Sequence, residues 1–480
     1  MSRLRILLLA PDASPESICG PLIGYSQAIA LARLHDVTIV VRSSSEEALR
    51  RRQGPLHSVE VIRLPRLERI YAWSLRWIFK YNYNSHYLQA FAYPLSIAFE
   101  WQAWRQMRAR IMAGEFDIVL RLLPVVAVMP SPFAFFLRSG PVPFVIGPIN
   151  GGLPWPPGFT QAENQKQWIS GLRNLYRFLP FARSTYRRAA AIIAGSSQTY
   201  AEFAVHREKL FFLPENGVGR SLCSGTVRSL ARAGKLELIF VGSLVPRKAC
   251  DLALRGAAPL LRGDLARFTV VGDGPERNRL EQLAGSLGVE KAVSFWGELS
   301  HDEAMQRLRS ADVLVFPSLR DFGGGVVFEA LAVGVVPVVV DFGGPGDIVH
   351  PEIGCKVSLT NEADVVWQIE EILRGFAQDR DRLDRLRQQG ASYARECLTW
   401  DAKAQILTAV MRWALRQGPK PNLPPPKMLQ LGRASDLGKG SPRESAPRTV
   451  RSGSRGASST SFVEITGKIT RREDTGWGNS

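Results

Sequence analysis

Two carboxylates and a run of glycines mark the part of the chain that is best suited to chemistry. Asp321 precedes the triple glycine at Gly323, Gly324 and Gly325, and Glu329 follows eight residues after Asp321 on a helical pattern. Glycines let the backbone approach a phosphate closely, and a helix N-terminus offers free N–H groups to anions. Each carboxylate can accept hydrogen bonds from two neighbouring hydroxyls. The segment predicts a site for a charged ligand that carries sugar hydroxyls.

A second candidate feature is a pair of cations directly after a predicted strand. Gly242 ends that strand, and Arg247 and Lys248 follow within the next six residues. Arginine offers a planar fork for phosphate oxygens, and lysine offers a point charge. Most Arg–Lys pairs are solvated surface charges, but a position at the carboxyl end of a strand favours phosphate binding.

The elements that must position these residues alternate between strands and helices. Apolar, β-branched runs in the first half predict buried parallel strands at Ile6–Leu9, Val37–Val41, Val59–Leu64, Ile118–Leu122, Phe144–Ile146 and Ala191–Ala194. A second series is predicted at Leu236–Val241, Phe268–Val271, Ala292–Trp296, Val313–Phe316 and Val335–Val340. This alternation predicts two doubly wound α/β domains, in which ligands bind beyond the carboxyl ends of the strands.

Several motifs in the second half resemble one family of enzymes. They read VGSLVPRK, VVGDGPER, VSFWGELS, ADVLVFPS and FGGGVVFEALAVGVVPVV, in the order and spacing of that family. The chain is similar to retaining glycosyltransferases of the GT-B fold, family 4 (glycosyl transferases group 1), over roughly residues 1–415. The resemblance implies two Rossmann-like domains facing across a cleft. It implies an acceptor domain at 1–220, a nucleotide-sugar donor domain at 221–398 and a helix at 399–416 that returns to the first domain. Beyond it, a composition rich in Pro, Ser, Gly and Arg predicts a disordered basic tail at 417–480.

The resemblance also implies a role for individual residues. Arg247 and Lys248 match the pair that binds the diphosphate, and Glu329 matches the residue that holds the ribose hydroxyls. Asp321 stands where the family usually has a glutamate that contacts the transferred sugar. Arg247, Lys248 and Asp321 are therefore expected to be catalytic. The implied donor site consists of Gly24, Gly242, Arg247, Lys248, Trp296 beside the nucleobase, Asp321, Phe322, Gly323, Gly324, Gly325 and Glu329.

The first half matches the family less well. The segment Gly20–Gly24 takes the place of the family's first glycine loop, and Leu122 stands about where the family often has a histidine facing the donor sugar. Arg121 and the loop at Gly147–Gly158 are candidates to line the acceptor cleft instead. Asp321 is a second departure, because its side chain is one methylene shorter than glutamate.

The activity implied is metal-independent transfer of a hexose, with retention, from a UDP- or GDP-linked sugar to a glycan or lipid-linked acceptor in cell-surface polysaccharide synthesis. The nucleotide sugar is a co-substrate, and no cofactor or metal is expected. The one D-x-D sequence, Asp379–Asp381, lies in a charged helical pattern typical of solvated surface. The alternative is a catalytically impaired relative that acts as a partner or scaffold in the same pathway.

Composition limits the partners and the location. The net charge is +17, and the segment Arg416–Ser480 holds 12 basic and five acidic residues. No nucleic-acid-binding motif accompanies this charge, so anionic lipid or a phosphorylated ligand is favoured as the partner. A third hypothesis for the function is a lipid- or nucleic-acid-binding protein that acts through its basic tail. Aromatic and basic residues interleave at Arg69–Arg110, which predicts either a membrane-interface segment or a helix pair on the first sheet. Scattered cysteines and no convincing membrane span predict a cytoplasmic protein, with peripheral attachment to the inner face of the membrane as an option.

Overall fold

The computed structural model describes residues 2–17, 20–52, 54–81, 85–124, 129–153, 155–156, 159, 179–228 and 234–425. Side chains are described for these residues except 74–91 and 139. Residues 1–425 form one compact unit with two lobes, each built on a parallel sheet. Of the tail predicted at 417–480, residues 426–480 lie outside the described residues.

The first lobe is a seven-stranded parallel sheet in the order β3-β2-β1-β4-β5-β6-β7. Its strands are β1 (Arg5–Leu9), β2 (Asp36–Arg42), β3 (Ser58–Ile62), β4 (Ile118–Arg121), β5 (Phe144–Ile149), β6 (Ala191–Ala194) and β7 (Leu210–Phe212). The strand order reverses between β1 and β4, which creates a crevice at the carboxyl ends of these strands.

The second lobe is a six-stranded parallel sheet in the order β10-β9-β8-β11-β12-β13. Its strands are β8 (Leu236–Val241), β9 (Ala266–Val271), β10 (Val293–Phe295), β11 (Val313–Phe316), β12 (Val336–Val340) and β13 (Cys355–Val357). The order reverses between β8 and β11. The loops after these two strands carry Arg247, Lys248 and Asp321, so the predicted site lies at the switch point of the sheet.

Helices connect the strands and cover both sheets. In the first lobe they are α1 (Gly20–Leu34), α2 (Ser43–Arg51), α3 (Pro65–Tyr81), α4 (Ser85–Met112), α5 (Pro132–Phe136), α6 (Ala182–Arg188) and α7 (Ser197–Glu202). The later helices are α8 (Cys250–Arg262), α9 (Arg277–Ser286), α10 (His301–Ser310), α11 (Gly325–Ala332), α12 (Gly343–Ile348), α13 (Glu362–Gln378), α14 (Arg380–Tyr393) and α15 (Trp400–Ala414).

The two-domain α/β prediction is confirmed, and the reason is visible in the strands. Every residue of β11 and β12 is buried, because helices cover both faces of the sheet and the strands must be apolar throughout. The sequence pattern missed β7 and β13. Each has only three residues and lies at a sheet edge, so neither produces a long apolar run.

Local signals fixed several helix ends. Ser300 and Glu303 form a capping box at the start of α10, in which each side chain satisfies a backbone N–H of the other residue. Asp379, part of the D-x-D sequence, caps α14 by accepting a hydrogen bond from the N–H of Arg382 at 2.8 Å. Asp379 therefore ends α13 through its backbone N–H and starts α14 through its carboxylate.

The last helix returns to the first lobe. Leu407 and Met411 of α15 are fully buried in the first-lobe core, where α15 packs against α1. The described part of the segment predicted at 417–480, residues 417–425, reaches β7 of the first lobe. The N–H of Phe212 donates to the carbonyl of Leu423 at 2.8 Å, and the Leu423 side chain is buried in the same core.

Candidate functional site

An ion pair joins the two loops at the second switch point. The ammonium of Lys248, after β8, contacts Oδ2 of Asp321, after β11, and the N–H of Gly324 donates to Oδ1 of Asp321 at 3.0 Å. Burial opposes ionisation of Asp321, but the charge and hydrogen bond of Lys248 outweigh it and lower the pKa of this carboxyl. The contact between the two side chains fixes one loop against the other.

Two further predicted residues keep their charged groups available. The guanidinium of Arg247 is exposed, and no side chain in the described part of the protein forms a hydrogen bond or ion pair with it. Glu329 is mostly buried on α11, and the imidazole of His301 lies near it, with 3.9 Å between Nδ1 and Oε1. Burial raises the pKa of Glu329, and His301 partly opposes this. The guanidinium of Arg247 and the carboxylate of Glu329 are therefore available to bind a ligand.

The glycines of this site are required by close packing of two loops. Gly324 has φ of +54° at the start of α11, a conformation that favours glycine. A Cβ on Gly343 would lie 2.5 Å from the carbonyl oxygen of Asp321, and one on Gly344 would overlap the carbonyl of Phe322. The loop that holds Phe322 and the triple glycine is therefore seated directly on the start of α12.

Gly242 and Trp296 have different surroundings. Gly242, with φ of +154°, lies beside the rings of Phe240 and Phe316 at the end of β8. Trp296 is 45% exposed, and its ring lies 3.5 Å from the guanidinium carbon of Arg307. It borders a cavity of about 490 Å³ at the β9–β10 edge, whose lining includes none of Arg247, Lys248, Asp321 or Glu329. Its predicted place beside a nucleobase stays a prediction.

The prediction of a glycine loop at Gly20–Gly24 is wrong. These residues form the first turns of α1, and Gly24 is a buried helix position where a Cβ would lie 2.9 Å from Cγ of Leu123. Leu122, at the position of the family histidine, is buried in the first-lobe core. The glycine therefore serves helix packing, and the neighbouring strand end presents apolar groups.

Arg121 does not line an open cleft. Its side chain is fully buried, and its Nε donates to Oε1 of Glu100 at 2.7 Å, while Glu100 also accepts from the hydroxyl of Ser131. Burial raises the pKa of Glu100, although the charge of Arg121 and the hydrogen bond from Ser131 oppose the change. The pair is a structural connection between β4 and α4.

Four polar residues at the junction of the lobes were missed as site residues by sequence reasoning. Glu215 is 8% exposed, and its Oε2 accepts from the amide of Asn150 in the loop after β5. Asn216 and Glu215 both lie against Gly323, and the ammonium of Lys403 on α15 donates to the carbonyl of Pro214. Of these residues, the sequence points only to Asn150, through its loop as an acceptor-site candidate. The available sequence signal for Glu215 is a carboxylate in PENGVG, the connection between the lobes.

The lobes also meet at two other places. Leu153, in the loop after β5, lies beside Gly343 of α12. Ser197, at the start of α7, donates from its N–H and its hydroxyl to the carboxylate of Asp347, at 2.7 and 2.6 Å. The glycine loops of the second lobe are therefore covered by first-lobe residues.

The aromatic segment at Arg69–Arg110 corresponds to α3 and most of α4. The inner face of α4, including Phe99 and Met107, packs on the first sheet, as the helix-pair interpretation predicts. Ile70 and Trp73 on α3 are 61% and 68% exposed, and Trp101 on α4 is 48% exposed. Among the described residues, no helix is long and apolar enough to cross a membrane, and no group of three or more His, Cys, Asp or Glu side chains could hold a metal.

Comparison with known proteins agrees with this geometry. Residues 227–392 match the family model for glycosyl transferases group 1. The matched segment contains all six strands of the second sheet, and the architecture of the two lobes together is GT-B.

Curated relatives match parts of the chain. An uncharacterised glycosyltransferase of Methanocaldococcus jannaschii is 33% identical over 137 residues, which is 28% of this chain and 35% of that protein. A D-inositol 3-phosphate glycosyltransferase of Nocardia farcinica is 33% identical over 183 residues, 35% of this chain and 40% of that protein. The chain thus spans well under half the length of these relatives. D-inositol 3-phosphate glycosyltransferase 1 of Catenulispora acidiphila matches more broadly, with 26% identity over 62% of this chain and 85% of that protein.

Solved structures share the fold over most of the chain. HepE of Anabaena in complex with UDP superposes with a TM-score of 0.55 at 15% identity, over 84% of this chain and 98% of that one. Sucrose-phosphate synthase of Thermosynechococcus elongatus gives a TM-score of 0.55 at 16% identity, over 87% and 100%.

Proposed function

We propose that the protein is a retaining, metal-independent glycosyltransferase. It moves a hexose from a UDP- or GDP-linked sugar to a glycan or lipid-linked acceptor, in the synthesis of a cell-surface polysaccharide. One observation carries the proposal: Lys248 and Asp321 are joined across the switch point of the second sheet, with the free charges of Arg247 and Glu329 in the adjoining segments. The group 1 domain at 227–392 and the UDP complex of the related fold support it.

The proposed donor site divides into three parts. Arg247 and Lys248 hold the diphosphate, and the N-terminal N–H groups of α11 add partial positive charge beside it. Glu329 accepts hydrogen bonds from the ribose hydroxyls. The sugar lies near the Gly323–Gly325 loop, because glycines let the backbone approach a ligand closely.

The proposed reaction needs charge stabilisation more than a protein base. The bond between the anomeric carbon and the diphosphate oxygen breaks, and Arg247 and Lys248 stabilise the negative charge that develops on that oxygen. The acceptor hydroxyl forms the new bond on the same face of the sugar. Its proton passes to the departing diphosphate oxygen, so that the products are the glycoside and a protonated nucleoside diphosphate.

Ligand stabilisation provides the test of donor binding. Thermal-shift measurements with UDP-glucose, UDP-galactose, UDP-GlcNAc and GDP-mannose should give one clear stabiliser. Arg247→Ala and Glu329→Ala should each abolish most of its effect, because each removes a charge or acceptor from the ligand. Arg385→Ala, an exposed arginine on α14, is the matched control and should respond like the wild type. Absence of any stabilising nucleotide sugar contradicts the proposed function.

A catalytically impaired protein is the competing candidate. It is motivated by Asp321 and Leu122, which stand where related enzymes have a glutamate and a histidine. Slow hydrolysis of the bound nucleotide sugar distinguishes the two, because an active transferase releases the sugar to water when no acceptor is present. Binding without release of the sugar over hours, at saturating donor, favours the impaired protein.

The exposed aromatic residues support peripheral attachment to an anionic membrane at its cytoplasmic face. Ile70, Trp73 and Trp101 present apolar groups on two neighbouring helices whose segment is rich in arginine. Aromatic rings favour the headgroup region, and arginines favour anionic lipid. Flotation with vesicles that contain anionic lipid, compared with neutral vesicles at the same salt concentration, tests this proposal. Equal recovery in both sets, or none at low salt, contradicts it.

A further inference from the structure

Both oxygens of Asp321 already have partners within the loops of the site. One oxygen accepts the Gly324 N–H, and the other contacts the Lys248 ammonium. Both oxygens therefore hold the loop that surrounds the ligand. The shorter side chain suits this task, because it keeps the carboxylate close to its own loop.

A different carboxylate lies against the same glycine loop with one oxygen available. Oε2 of Glu215 accepts from Asn150, but no donor in the described part of the chain reaches Oε1. A Cβ on Gly323 would lie 2.7 Å from this free oxygen, so Oε1 faces the backbone of the triple glycine. The first lobe fixes this placement through Asn150 and through Gln27, which donates to the Glu215 carbonyl at 3.3 Å.

We propose that Glu215 is the sugar-binding carboxylate of this protein, and that Asp321 is a positioning residue for the loop. Oε1 of Glu215 accepts a hydrogen bond from a hydroxyl of the hexose that lies on the Gly323–Gly325 loop. The inference rests on the proposed function and adds the residue that recognises the sugar. It also gives the first lobe a direct part in donor recognition, because Asn150 orients the carboxylate.

The surroundings of Glu215 make this recognition dependent on pH. Burial raises the pKa of Glu215 to about 7; the Asn150 hydrogen bond and the charge of Lys403 oppose the change, and the charge of Asp321 adds to it. Beyond Asp321 stand the cations Lys248 and Arg247. A hydroxyl donates to the ionised carboxylate, so sugar binding favours loss of the proton. The additional affinity due to the sugar should therefore increase from pH 6 to pH 8.

Calorimetric titration with two matched probes tests the inference. The dissociation constants of UDP and UDP-glucose, and of GDP and GDP-mannose, are measured for the wild type, Glu215→Gln and the control Glu290→Gln. Glu290 is an exposed carboxylate on the second lobe. Whichever of UDP and GDP binds the wild type should bind Glu215→Gln with a dissociation constant within about twofold of the wild-type value. The same variant should weaken the nucleotide sugar by about tenfold or more, since a hydrogen bond to a charged group is lost.

The pH series separates a binding role from a structural one. In the wild type, the affinity ratio of sugar-linked to free diphosphate should rise between pH 6 and pH 8, and in Glu215→Gln it should be constant. The inference is overturned, while the proposed function stands, if the variant binds both probes equally more weakly. It is also overturned if the affinity ratio of the variant equals that of the wild type at every pH. If no diphosphate or nucleotide sugar binds the wild type at any pH, the proposed function fails, and the inference fails with it.

Discussion

Replacing Glu215 with glutamine should make the protein more stable at neutral and alkaline pH. The wild-type carboxylate is 8% exposed, and burial raises its pKa from 4.5 to about 7. Because the folded state holds the proton more tightly than the unfolded state, this group stabilises the fold fully below pH 4.5. That contribution is lost as the pH rises through about 7. Glutamine stays neutral and can still accept the hydrogen bond from Asn150.

The expected size follows from the pKa. A rise from 4.5 to about 7 corresponds to about 3 kcal/mol of unfolding free energy, at ~1.4 kcal/mol for each tenfold change in proton affinity. Glu215→Gln and the wild type should therefore be equally stable near pH 4.5. Their difference should grow to about 3 kcal/mol in favour of the variant by pH 8.

Urea denaturation at half-unit intervals from pH 4.5 to pH 8.5 measures this difference. Fluorescence and circular dichroism should be recorded together, because coincident transitions justify a single unfolding free energy. Glu290→Gln serves as control and should follow the wild type at every pH. A difference that is constant with pH, or a variant less stable than the wild type at pH 8, would refute the assignment of a buried, titrating carboxylate at the lobe junction.

Two further predictions concern packing and a buried charge. Gly256 on α8 leaves no room for a side chain, since a Cβ would lie 2.5 Å from Cγ2 of Ile369; Gly256→Ala should lower the unfolding free energy by about 1–3 kcal/mol. The matched change Gly285→Ala on α9 meets open space and should raise it by about 0.5–1 kcal/mol, so similar effects of both in urea denaturation would contradict the packing argument. Arg121→Met should lower the unfolding free energy by about 3–5 kcal/mol, because it leaves Glu100 buried without its cation. Adding Glu100→Leu should recover most of this loss, and no recovery would show that the unpaired carboxylate is not its cause.

The residues that could be found from sequence belong to continuous local patterns. Lys248 and Asp321 follow strands that strong apolar runs predict, and Glu329 lies in the helix after the second of these strands. Their place at the carboxyl ends of the strands could therefore be inferred. The pairing of Lys248 with Asp321 depends on β8 and β11 being neighbours. The alternation of elements predicts the class of sheet, while the order of its strands is observed only in the fold.

The junction residues could not be found in this way. Asn150, Glu215 and Lys403 come from a loop, a connection between lobes and a late helix. Packing of the two lobes brings them together, and no short sequence pattern records that contact. The glycine loop predicted at Gly20–Gly24 fails for the opposite reason, because glycine in a sequence does not tell a turn from a crowded helix.

The return of α15 to the first lobe has a consequence for synthesis of the protein. Leu407, Met411 and Leu423 complete the apolar core around β1 and β4, yet they are made after the whole second lobe. While the chain emerges from the ribosome, the apolar core of the first lobe stays incomplete, whereas the core of the second lobe can form earlier. Chaperone binding to nascent chains should therefore persist over the first lobe until the segment through Leu423 has emerged.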